Sequence, residues 1–224
     1  MTFAMTPRTT AASMVAAAVL VNLAFTGLGT AFDYPEVLKH PPAEALAAFR
    51  AAQGVVSAWF LLLALGAALL APVAIGVGRL STHRAMRLAV PVGVAAATVQ
   101  VVGLLRWPLL VPGWAAADDV EAFTTANRVL GNLVGETFGY LLTAAWTGLV
   151  LVALGAAFAG RLFVVLGGTA ATLILLGILS PLDLPVVDLA NFAGYVLWSA
   201  WLLIFAALLT RRGAPRRSRA TRPL

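Results

Sequence analysis

Six uninterrupted apolar stretches constrain the fold of this chain more than any other feature. Each has about 20 residues or more, and a helix of that length crosses about 30 Å of hydrocarbon. Of the 224 residues, 61% are hydrophobic and only 11% are charged, a composition typical of integral membrane proteins. The sequence therefore predicts an all-α, polytopic membrane bundle over residues 1–210, embedded in the lipid bilayer, and a basic tail over 211–224. The six transmembrane helices are predicted at about 11–32, 52–78, 88–110, 130–159, 162–182 and 187–209.

Charges alternate between the segments that connect these stretches. Eleven of the fifteen basic residues lie on one predicted side of the membrane. The other side has eight of the nine acidic residues: Asp33, Glu36, Glu44, Asp118, Asp119, Glu121, Asp183 and Asp188. Because basic loops stay in the cytoplasm, both termini are predicted to be cytoplasmic, in a bacterial plasma membrane. A cleaved signal peptide is the alternative for the first stretch, but its length of about 22 residues favours a retained helix.

Composition also excludes several kinds of site and partner. There is no cysteine, and the two histidines, His40 and His83, lie in loops on opposite predicted faces, so neither a metal site nor a cofactor is expected. Nucleic acid is not expected either, because the basic excess is concentrated directly after the last apolar stretch. That position indicates a cytoplasmic anchor that contacts anionic lipid. The basic residues of the tail are Arg211, Arg212, Arg216, Arg217, Arg219 and Arg222.

The ninth acidic residue, Glu136, lies inside the fourth apolar stretch. An ionisable group in hydrocarbon costs free energy unless a partner or a water-filled cavity compensates it. In an α-helix, the spacing of four residues aligns Glu136 with Arg128, Asn132 and Tyr140. Glycines at 131, 135 and 139 recur at the same spacing on the adjacent face, where another helix can approach closely. The sequence thus predicts a polar stripe beside a groove for helix packing.

Arg106, near the end of the third stretch, is the predicted partner of Glu136. Both residues are counted from the same side of the membrane, at depths of roughly 6 Å and 9–10 Å. If the third and fourth helices are antiparallel neighbours, Arg106 and Glu136 are expected to form a buried ion pair. Removal of one partner should then destabilise the protein more than removal of both.

Other polar residues are predicted to complete an outward-facing pocket around this pair. Two interpretations stay open: the cluster binds a ligand, or it only holds helices together, as such clusters often do. For Trp107 the alternative is an anchor at the membrane interface. The further candidates are Asp188, Asn191, Tyr195, Gln53 and Trp107.

Three segments carry a resemblance to a known family: GETFGYLLTAAW at residues 135–146, LRWPLLVP at 105–112 and GYVLW at 194–198. They resemble a bacterial family of integral membrane proteins catalogued as domain of unknown function 4386. The resemblance implies a six-helix membrane protein, brings no established activity, and marks Arg106 and Glu136.

The expected function is to bind or move a small-molecule or lipid-like, amphiphilic ligand in the outward-facing pocket. A membrane enzyme with Glu136 as acid or base is one alternative, and a structural or regulatory subunit is another. Polar residues toward the cytoplasm are few, namely Thr143, Thr147, Asn22 and Gln100, which counts against transport and favours binding or a structural role.

Overall fold

The computed structural model describes residues 5–182 and 184–212, and these residues form helices and no strand. The all-α prediction is therefore confirmed for this part of the chain. Most of the predicted basic tail, residues 213–224, lies outside the described residues, as does Asp183.

Long helices account for most of the structure. The long elements are α1 (Pro7–Phe32), α3 (Gln53–Ala68) with its continuation α4 (Leu70–Val77), α5 (Arg84–Leu109), α8 (Gly139–Leu176) and α9 (Pro185–Arg212). Short helices α2 (Pro42–Ala51), α6 (Val111–Ala117) and α7 (Val120–Ala126) connect them, together with 3₁₀ turns at Glu36–Lys39, Gly78–Leu80 and Gly177–Leu182. A π-helix, Asn127–Phe138, joins α7 to α8.

Among the described residues, five continuous helical segments are long and apolar enough to cross a membrane. The fourth of them, Val120–Leu182, has 63 residues, about twice the length of the others. The remaining segments are Pro7–Phe32, Gln53–Leu80, Arg84–Ala117 and Val186–Arg211.

The long fourth segment is broken near its middle. Gly155 (φ 60°, ψ −170°) and Gly160 (φ 82°, ψ 177°) adopt backbone conformations that only glycine accepts readily. Beyond the break the chain packs back on itself, since Gly167 lies against side chains of Leu151 and Trp201. The two halves correspond to the predicted helices at 130–159 and 162–182, and the break ends at the boundary between these two ranges.

The helices close into a ring. Helix α1 packs against α3, α4 and α9, while α5 packs against α3, α4 and α8, and α8 completes the ring by packing against α9. Successive helices alternate in direction, so one end of the ring gathers the acidic loops and the other gathers Arg8, Arg79, Arg84 and Arg87. We call these the acidic end and the basic end.

Aromatic clusters fill the bundle near both ends. At the acidic end the indole of Trp107 is fully buried and stacks on Phe60 at a ring distance of 4.8 Å, with Phe32, Phe49 and Phe123 around it. At the basic end Trp201 packs against Trp146, Phe163 and Phe205, with ring distances of 5.2–6.0 Å. Polar side chains such as Gln100 and Thr143 lie between the two clusters, and Glu136 lies along one side of the acidic end.

Candidate functional site

Glu136, on which the predicted site is centred, lies in the π-helix Asn127–Phe138 and not in an α-helix. A π-helix closes its hydrogen bonds over five residues, and the Thr137 hydroxyl accordingly donates to the carbonyl of Asn132 at 2.8 Å. The prediction of an α-helix is therefore wrong for this segment. The residues of the predicted stripe also differ in burial: Arg128 and Asn132 are exposed, whereas Glu136 and Tyr140 are half-buried.

The glycines of this segment do form a packing groove, and α5 lies in it. A Cβ atom added to Gly103 would lie 2.6 Å from the Cα atom of Gly135 and 2.8 Å from the carbonyl oxygen of Leu130. A Cβ at Gly131 would meet the guanidinium of Arg106 at 2.7 Å, and one at Gly139 would meet Gln100 at 3.0 Å. The absence of side chains thus brings α5 and the π-helix into backbone contact.

This close contact buries Arg106, which is 4% exposed. Its Nε donates to the side-chain oxygen of Asn127 at 3.1 Å, and its Nη1 donates to the carbonyl oxygen of Gly103. The guanidinium also lies over the ring of Trp107, with 5.2 Å between its carbon and the ring centroid. Arg106 is thereby held by neutral acceptors from both helices.

The expected direct ion pair between Arg106 and Glu136 is not formed. Within residues 5–182 and 184–212, the ion pairs closer than 4 Å are Lys39–Glu36, Lys39–Asp188 and Arg50–Asp118. Arg106 instead donates to the Gly103 carbonyl, one turn back on its own helix, and to the Asn127 amide oxygen at the start of the π-helix. The charges of Arg106 and Glu136 still attract each other through space.

Glu136 lines a small recess at the acidic end. The other lining residues are Asn132 and Thr137 from the π-helix and Gly177, Ser180 and Pro181 from the 3₁₀ turn before α9. The recess has a volume of about 100 Å³, and no basic residue is among those that line it. The other polar side chains that line the recess are the hydroxyls of Thr137 and Ser180 and the amide of Asn132.

All three tyrosines of the chain lie within electrostatic reach of Glu136. The rings of Tyr140 and Tyr195 are 6.0 Å apart, and Tyr34 reaches in from the loop after α1, where it packs against Phe25 and Phe60. Burial raises the pKa of the Tyr34 phenol, and the negative charge of Glu136 raises it further, whereas Arg106 lowers it. Tyr34 therefore stays neutral through the physiological pH range.

At the edge of the site, Lys39 connects the loop after α1 to the start of α9. Its ammonium group lies 3.1 Å from Asp188 at the start of α9 and 3.0 Å from Glu36 in its own loop. Hydrogen bonds to Glu36 and Asp188 raise the pKa of Lys39, so the contact persists through the neutral range. Nearby, the Asn191 amide donates to the carbonyl of Ile174 at 2.9 Å, which ties α9 to α8.

Three of the predicted site residues lie away from this cluster. Gln53, at the start of α3, and Arg128 are exposed, and neither lines the recess. Trp107 is neither a pocket wall nor an interface anchor, because its ring lies at the centre of the acidic-end aromatic cluster. The others lie near one another at the acidic end. Asn132 and Glu136 line the recess, and Tyr140 and Asn191 lie against Gly177 in its wall. Tyr195 packs against Tyr140, and Arg106 and Asp188 are within electrostatic reach of Glu136.

Sequence reasoning missed Tyr34, Asn127, Thr137 and Ser180. A sequence signal was available only for Tyr34: the chain has just three tyrosines, and the other two were already in the candidate pocket. The roles of Asn127, Thr137 and Ser180 depend on the π-helix and on the 3₁₀ turn before α9, which no spacing rule for α-helices indicates.

Comparison with protein-family models, curated proteins and solved structures found no match for this chain. The resemblance to the family of unknown function therefore stays a prediction.

Proposed function

We propose that this chain is an integral membrane protein of the bacterial plasma membrane that binds a small organic cation, free or as the head of an amphiphile, in the recess around Glu136. In this proposal it crosses the membrane six times, with both termini and the basic end in the cytoplasm. The recess then opens to the outside.

Apolar side chains that are exposed on the helices support the membrane assignment. Large apolar side chains such as those of Val19, Leu61 and Leu162 are exposed along helix faces, where water would penalise them and lipid would not. The break at Gly155–Gly160 supports six crossings, because it divides a 63-residue segment into two halves that pack against each other.

The observation that carries the ligand assignment is the position of Glu136. It lines an open recess, and no ion pair within 4 Å neutralises it among the described residues. A carboxylate at this depth is expensive unless a cation or a proton compensates it. Arg106 is held by Asn127 and Gly103, so a positively charged ligand can occupy the space beside the carboxylate.

The size and lining of the recess narrow the ligand class. A volume of about 100 Å³ accommodates several water molecules or a compact ammonium group, since one water requires about 10–15 Å³ by the same measure. The hydroxyls of Thr137 and Ser180 can accept hydrogen bonds from an N–H group. The ring of Tyr140 lies against Gly177 in the wall of the recess, and an aromatic ring favours alkylated ammonium. An apolar tail would extend along exposed Leu133 and Leu179 into the lipid.

A matched pair of probes tests this proposal. Choline and its uncharged isostere 3,3-dimethylbutanol have nearly the same shape, and only choline should raise the melting temperature of the protein in lipid nanodiscs. A ligand at 100 times its Kd stabilises the folded state by about 2.7 kcal/mol. The effect should weaken in acid, because protonation of Glu136 removes the charge that attracts choline.

The control for this experiment is Glu136→Gln, which keeps the shape of the side chain and removes its charge. Choline should no longer stabilise this variant. Equal stabilisation by choline and the neutral alcohol, or an undiminished choline effect in Glu136→Gln, would contradict the assignment and leave the cluster a contact between helices.

A further inference from the structure

A second cavity lies on the axis of the bundle, below the Glu136 recess. Residues of α1, α3, α4, α5, α8 and α9 line it, and most of its wall is apolar. Its polar side chains include Gln100 of α5, Thr143 of α8, and Tyr195 and Ser199 of α9. The volume is about 40 Å³.

The polar groups of this cavity have hydrogen-bonding capacity to spare. The Gln100 amide nitrogen donates to the Ala96 carbonyl and to the Thr143 hydroxyl, each at 3.1 Å, and thereby uses both of its hydrogens. The Gln100 side-chain oxygen accepts no hydrogen bond from any residue in the described part of the chain. Ser199 accepts from the Asn22 amide at 2.9 Å, which leaves its own hydrogen to donate.

We infer that this axial cavity holds a cluster of about three water molecules, anchored by the Gln100 oxygen and the Ser199 hydroxyl. A water needs about 10–15 Å³ and two to four polar partners, and the cavity provides both. An amide oxygen in the interior of a membrane protein is costly without a donor, and water is the donor that fits.

Tyr195 links this water cluster to the Glu136 recess. It lines the axial cavity together with Thr143, its ring lies 6.0 Å from that of Tyr140, and its side chain is within electrostatic reach of Glu136. The waters extend a hydrogen-bonded region from the acidic end to the level of Asn22. Below that level the fully buried rings of Trp146, Trp201 and Phe205 close the bundle.

This inference goes beyond ligand binding at Glu136 and does not depend on it. Water at the axis places a polar layer beneath the Glu136 region. The buried rings of Trp146, Trp201 and Phe205 separate this layer from the basic end. A proton or a small cation at the recess could then reach the hydrated cavity, but the three aromatic rings would block a continuous channel to the basic end.

Xenon distinguishes a wet cavity from a dry one, because dry apolar cavities take up xenon and hydrated polar ones do not. In a crystal structure of the full chain, the native protein should show water density bridging Gln100 and Ser199, and after pressurisation no xenon at that position. The double variant Gln100→Met, Ser199→Ala removes both anchors and should show the opposite, xenon in place of water.

The native crystal alone decides the inference if the double variant does not fold. Xenon density between α5 and α9 in the native protein, or the absence of water density at a resolution that shows waters elsewhere in the interior, would overturn it. Neither outcome depends on choline, so this result and the test of the Glu136 recess can fail separately.

Discussion

Gly103→Ala is expected to destabilise the protein by about 2–3 kcal/mol and to lower its melting temperature by about 5 °C or more. The added methyl group would lie 2.6 Å from the Cα atom of Gly135 and 2.8 Å from the Leu130 carbonyl oxygen. Both neighbours are backbone atoms of the π-helix, so the strain cannot be relieved by a side-chain rotation. Helix α5 would have to move away from the segment that positions Glu136. Thermal unfolding of the purified protein measures the effect.

Gly148→Ala is the matched control for this change. An added methyl at Gly148, in α8, meets no atom within 4 Å, and alanine favours a helix over glycine by about 1 kcal/mol. The control should therefore melt at the same temperature as the native protein or slightly higher. If Gly103→Ala and Gly148→Ala melt alike, the backbone contact between α5 and the π-helix is not present in the protein.

Arg106→Met is expected to cost about 3 kcal/mol of stability, because it breaks hydrogen bonds to a buried charge from two helices. The change leaves the Asn127 oxygen without its donor, removes the side-chain hydrogen bond to the Gly103 carbonyl, and removes the positive charge that attracts Glu136. Arg128→Met is the control on the neighbouring segment, where the side chain is exposed, and it should change stability by less than about 0.5 kcal/mol.

Stability of the Glu136→Gln variant then separates two interpretations of the site. In a direct ion pair, loss of either partner costs a similar amount, and the double change is milder than each single one. The structure instead gives Arg106 hydrogen bonds to both helices and places Glu136 at the recess, so Glu136→Gln should lower the melting temperature far less than Arg106→Met does. A loss as large as that of Arg106→Met would support the ion pair.

The helices could be predicted from the sequence because long apolar runs have few alternatives to a helix in a membrane. The break near Gly160 was also accessible, since glycine and a charged residue interrupt an apolar run there. Burial of Arg106 and Glu136 at the same end followed from counting residues along each helix.

The contacts of these two residues could not be predicted in the same way. Spacing rules assume 3.6 residues per turn, and the π-helix changes which residues face α5. Arg106 consequently meets Asn127, which no α-helical pattern associated with it. Tyr34 was missed because it reaches the site from a loop, and the direction of a loop side chain depends on tertiary packing against Phe25 and Phe60.

Glu136 should make its recess selective for positive charge, and because the chain has no cysteine this selectivity can be measured directly with a single introduced thiol. In a Ser180→Cys variant, the rates of thiol modification by a cationic and an anionic methanethiosulfonate are compared, each normalised to a small thiol in solution. We expect the cationic reagent to react at least about tenfold faster, since a cleft of one charge concentrates ions of the opposite sign. The preference should collapse when Glu136→Gln is added. An equal preference with and without Glu136 would contradict the claim.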